Sequence, residues 1–113
     1  MQAYFDSREA KFKTPFGAVK PGTEVLLTID VWDGEPQEVY LIVKPEGEEE
    51  TSIKMEIFSR PGGFTAKTVL KPEKAQLLWY RFKLVDSFSF PSFFFGNHFS
   101  VDLNPFTEIQ QMG

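Results

Sequence analysis

The chain has 113 residues, a net charge of −4 from 16 acidic against 12 basic residues, and no cysteine. That length holds one hydrophobic core, so residues 1–113 read as a single domain. The acidic balance excludes a phosphate-tracking nucleic-acid surface, and the missing thiols exclude disulfides and thiolate metal sites.

In chain order, residues 1–13 are too polar for a signal peptide, which favours the cytoplasm over secretion. Nowhere does an apolar run approach the ~20 residues that span a bilayer, so no membrane partner is expected. Residues 23–32 (TEVLLTIDVW) place Val25, Leu27, Ile29 and Val31 on one face by period-two spacing, and predict a strand. Asp33-Gly34-Glu35-Pro36 supplies turn chemistry, and a second strand follows over 39–44 with Val39, Leu41 and Val43 inward. Glu46-Gly47-Glu48-Glu49-Glu50 reads as an acidic hairpin tip, and residues 52–58 as a third strand. Gly62-Gly63 after Pro61 marks a turn before a strand over 64–70, which Lys71-Pro72-Glu73 ends. The clearest strand is 76–85 (QLLWYRFKLV), with Leu78, Tyr80, Phe82 and Leu84 on the core face and Trp79, Arg81 and Lys83 opposite. No segment carries a capped apolar stripe of helical period. The pattern predicts an all-β, antiparallel immunoglobulin-like sandwich of seven to eight strands with essentially no helix, lacking the Cys-Trp-Cys pattern of antibody domains.

Few residues offer chemistry. The adjacent Glu48, Glu49 and Glu50 point different ways on a loop, and Asp30, Asp33 and Glu35 read as strand-end and turn caps, so no acid–base pair emerges. His98 is the only histidine and is expected to be structural; no metal or cofactor is implied. Gly62-Gly63 precedes a strand, so it is no phosphate loop. The aromatics stand apart: 13 Phe exceed what an ordinary core of Val, Ile and Leu absorbs. Trp79, flanked by Arg81 and Lys83, fits a platform on which a pyranose stacks while polar neighbours bond its hydroxyls, and Trp32 beside Asp30 and Asp33 fits the same description less fully. Trp79 also fits an interdomain contact, the reading favoured for it, or plain packing. Period two also prevents every ring from Phe88 to Phe95 from being buried within one small domain, so some need cover from outside.

Phe5-Asp6-Ser7-Arg8, Thr14-Pro15-Phe16-Gly17-Ala18-Val19 and Pro21-Gly22-Thr23 resemble the opening of the non-catalytic N-terminal domain of α-amylase-family glycoside hydrolases such as pullulanases and neopullulanases. Met55 matches that family's third-strand methionine, Trp79-Tyr80-Arg81-Phe82 resembles its aromatic strand, and Phe94-Phe95-Gly96-Asn97 resembles its "Y-Y-G" turn. The likeness runs from Tyr4 to Asn97, and residues 105–113 depart from the family's closing strand. It implies an accessory sandwich beside a catalytic (β/α)₈ barrel. Such a barrel takes about 250 residues and would carry the catalytic carboxylates, so this chain by itself is expected not to be an enzyme. The partners implied are that barrel, an α-glucan such as a maltooligosaccharide, starch or glycogen, and a second copy in a homodimer. An autonomous carbohydrate-binding module and a protein-interaction sandwich without sugar binding share the expected fold.

Overall fold

A computed structural model describes residues 1–103; residues 104–113, including the departing segment 105–113, lie outside the described residues. Nine strands are present among them: β1 (Gln2–Tyr4), β2 (Lys13–Thr14), β3 (Val25–Trp32), β4 (Glu38–Pro45), β5 (Thr51–Lys54), β6 (Glu56–Arg60), β7 (Gly63–Leu70), β8 (Gln76–Val85) and β9 (Pro91–Val101). They form two antiparallel sheets, one ordered β1-β3-β7-β6 with β2 also pairing β3, the other β5-β4-β8-β9. The described residues contain no helix, and the fold is an all-β sandwich.

Alternation builds the core between the sheets. Val25, Leu27, Ile29 and Val31 from β3 meet Val39, Leu41 and Val43 from β4 and Leu78, Tyr80, Phe82 and Leu84 from β8, all buried. The segment between β1 and β2 adds Phe5 and Phe12, with the Phe5 ring 4.8 Å from Phe82 and 5.9 Å from Tyr80. Pro61 and Gly62, the latter at φ 83°, form the two-residue turn between β6 and β7. Gly63 then packs so closely on β3 that a Cβ there would be driven into the Val31 carbonyl oxygen. The β8–β9 hairpin is closed by Asp86, whose carboxylate accepts the Phe88 and Phe90 N–H groups at 2.8 and 3.0 Å. This braced tip holds Phe88 and Phe90 out at 79% and 69% exposure.

Three expectations change. The single strand over 52–58 is two strands in different sheets: β5 pairs β4, β6 pairs β7, and the chain crosses between sheets at Met55. Met55 is buried and its N–H donates to the Val39 carbonyl at 2.8 Å, so the corner is fixed by core packing and one hydrogen bond. Asp30 is not a strand-end cap. It is buried on the outward side of β3, where it accepts hydrogen bonds from Lys11 at 2.9 Å and Thr65 at 3.0 Å and lies 3.8 Å from Arg60. Finally, Phe94-Phe95-Gly96-Asn97 is no turn but the middle of β9.

Two stability measurements test this packing. Met55→Ala should cost about 2–5 kcal/mol in urea unfolding, because a cavity opens at the point where the sheets exchange the chain. The buried Tyr80 hydroxyl meets no hydrogen-bond partner among the described residues. Tyr80→Phe should therefore leave stability unchanged or raise it by about 1 kcal/mol, and a clear loss would reveal a partner for that hydroxyl.

Candidate functional site

The motifs singled out in the sequence converge along β9. Phe5-Asp6-Ser7-Arg8 forms a tight turn in which Asp6 accepts the Arg8 N–H at 2.9 Å and two guanidinium N–H groups at 3.1 Å each. Hydrogen bonding to Arg8 holds the Asp6 carboxyl below the usual carboxylate range. Ser7, carried at the apex, accepts a hydrogen bond from the Asn97 side-chain amide at 2.9 Å, a link across 90 residues of sequence.

The second motif packs against the other half of the same strand. Lys13 is only 2% exposed, and its ammonium donates to the carbonyls of Pro15 and Gly17, each at 3.0 Å, with the Phe99 ring 4.5 Å away. It thereby ties down the loop that contains the cis Thr14–Pro15 bond and Gly17 at φ 69°. Beyond that loop Val19 bridges Val101 in parallel, donating to Ser100 at 3.0 Å and accepting from Asp102 at 2.8 Å.

Between these contacts the β8–β9 ladder is irregular. Tyr80 pairs with Asn97 and Phe82 with Phe94, so Phe95 and Gly96 together oppose Arg81. Phe95 takes φ 59°, the left-handed region that bulky side chains rarely occupy. Such a bulge re-aims side chains and interrupts pairing. Three clefts open around it, of about 290, 420 and 190 Å³, and Asn97 lines all three. The first reaches Lys13 and Phe16, the second Tyr4 and Phe95, the third Trp79 and Lys44.

Of the residues expected to form a sugar platform, Trp79, Arg81 and Lys83 do share the outward side of β8. Trp79 is 47% exposed, with the His98 ring 4.6 Å away. The two cations are directed to other rings: Arg81 lies 5.3 Å over Phe93 and bonds Glu50 at 3.1 Å, while Lys83 lies 5.4 Å over Tyr40. Trp32 belongs to β3 in the other sheet, facing away from the core, so it shares no surface with Trp79. Reasoning from sequence passed over Tyr4, Ser7, Arg8 and Asn97 as site residues. The N-terminal motif and Gly96-Asn97 were visible as patterns, but only the fold brings them into contact. Among the described residues no group of three or more His, Asp and Glu side chains is placed to hold a metal ion.

No family model matches the chain, and no curated protein sequence matches it. Among solved structures it is similar to the cycloalternan-forming enzyme from Listeria monocytogenes in complex with a pentasaccharide substrate, with a TM-score of 0.73 and 19% identity over 89% of this chain. It is also similar to the cycloalternan-degrading enzyme from Trueperella pyogenes, with a TM-score of 0.67 and 9% identity over 86% of this chain. At these identities the likeness is one of fold. The chain spans 10% and 17% of the length of those two proteins.

Burial lowers the Lys13 ammonium from an ordinary 10.5 to about 8. The folded chain therefore releases this proton before the unfolded chain does. The burial penalty is constant below about pH 8 and is relieved as pH rises from there towards 10.5. Thermal unfolding at pH 7 and pH 9.5 should show wild type gaining stability relative to Lys13→Met at the higher pH. Parallel behaviour of the two proteins would mean that Lys13 titrates normally.

Proposed function

We propose that the chain is the non-catalytic N-terminal accessory domain of a starch- or glycogen-active glycoside hydrolase of the α-amylase family, packed on that enzyme's catalytic (β/α)₈ barrel. The observation that carries this reading is the fold match, which takes in 89% of the chain but only 10% of an enzyme whose structure holds a pentasaccharide substrate. The resemblance carried by Asp6-Ser7-Arg8 and Pro15-Phe16-Gly17-Ala18-Val19 supports it, and those motifs lie together along β9. Two features suit a domain that works beside another. Asp30, the one buried carboxylate among the described residues, is committed to Lys11 and Thr65 and does not line the clefts. The braced hairpin tip offers Phe88 and Phe90 as apolar contacts for a barrel surface.

A second reading, an autonomous α-glucan-binding module, is favoured by the half-exposed Trp79 ring. One stacked ring contributes on the order of 1 kcal/mol, so affinity would fall in the high micromolar to millimolar range. The two readings separate by experiment. Continuing the reading frame of the gene past this chain should reveal a (β/α)₈ barrel, and its absence would sink the accessory-domain reading. Titrating the purified chain with maltoheptaose should quench tryptophan fluorescence without hydrolysis, and Trp79→Ala should abolish the quench if Trp79 is the platform. Dimerisation without any response to sugar would instead identify a protein-interaction sandwich.

A further inference from the structure

We infer that the three clefts meeting at Asn97 are one saccharide-binding groove laid across the β9 bulge, reaching Tyr4 and Phe95 on one side and Trp79 on the other. The type of glycan, an α-glucan, rests on the function proposed above. The place of the groove rests on geometry alone.

Gly96 is the first observation. Its φ lies outside the left-handed region, and a Cβ built on it meets nothing within 4 Å, so neither backbone conformation nor packing requires glycine there. A strand glycine without an internal reason leaves the backbone bare for something else to approach. It lines two of the three clefts.

Hydrogen-bonding capacity is the second. The Asn97 amide donates one N–H to Ser7 and accepts the His98 N–H at 2.8 Å, which leaves a further N–H and a further lone pair on the same group. Ser7 accepts in that bond and keeps its own O–H to donate. A vicinal diol matches this pairing of donors and acceptors.

Exposed rings beside engaged cations suit a neutral ligand. Each Lys and Arg along the clefts is already engaged: Arg8 by Asp6, Lys13 by the Pro15 and Gly17 carbonyls, Arg81 by Glu50, and Lys44 by the Glu48 carbonyl at 2.8 Å. Both guanidinium groups are paired with carboxylates and the Lys13 ammonium is buried, whereas the half-exposed faces of Tyr4, Phe95 and Trp79 are open to an uncharged sugar ring. The ligand class is therefore a neutral oligosaccharide.

The test is a heteronuclear NMR titration of the isotope-labelled chain with maltoheptaose. Shifts should centre on Ser7, Arg8, Gly96 and the Asn97 side-chain amide. Gly96→Leu sends its side chain into open space, so it should fold with an unchanged melting temperature yet bind at least about tenfold more weakly; Asn97→Ala should weaken binding similarly. Unchanged affinity in folded Gly96→Leu, or shifts confined to Tyr40 and Lys83, would overturn the groove. So would an absence of shifts at millimolar sugar. None of those results touches the accessory-domain reading, which stands or falls on the barrel encoded beside this chain.

Discussion

Opposite Arg81 the β8–β9 ladder carries two residues, Phe95 and Gly96, where regular pairing admits one. The extra residue resets alternation along β9, so Phe94 lies across from the core residue Phe82 while Phe99 and Val101, beyond the bulge, are buried again. Without it, one half of the strand would present the wrong face to the core. The bulge also aims Asn97 at Ser7, and through that bond the N-terminal turn is set against the sheet. Core register, site geometry and the seat of the first twenty residues thus share one backbone irregularity.

That N-terminal stretch belongs to the core as much as to the surface. Phe5 and Phe12 close the sandwich from the side, with ring centroids 6.2 Å apart, and Lys11 reaches the buried Asp30 on the outward side of β3. The motifs that resemble a known family therefore split in role. Val19 is buried away from the clefts, Phe5 and Ala18 are buried yet form part of the cleft walls, and Asp6, Ser7, Arg8 and Phe16 line the clefts from more exposed positions. A motif shared for packing reasons says little about ligand. The residues that differ in exposure carry the functional content.

How legible the fold was depended on whether each strand had one wet face. Residues 76–85 are legible to their ends because β8 alternates between core and the outward side along its length. The two strands around Met55 read as one because alternation continues through a corner, and nothing in a one-dimensional pattern records a change of sheet. β9 escaped notice because its aromatic run hides the period, and the bulge then shifts it. For the site, Trp79, Arg81 and Lys83 were legible as one face of a strand. The Ser7–Asn97 contact was not, since it joins residues 90 apart through an irregularity that no local rule anticipates.

β9 is also the last strand of its sheet, and its cover is uneven. Val19 bridges it at Val101, while Pro91 to Phe94 have β8 on one side and no described strand on the other. An open edge rich in phenylalanine is the usual starting point for sheet-to-sheet polymerisation. Here the exposed stretch begins with a proline, which has no N–H to offer, and ends at Phe95, whose left-handed backbone breaks the run. An incoming strand would find too few consecutive residues to register against. The same distortion that shapes the clefts thus keeps an aromatic edge from becoming a template for its own aggregation.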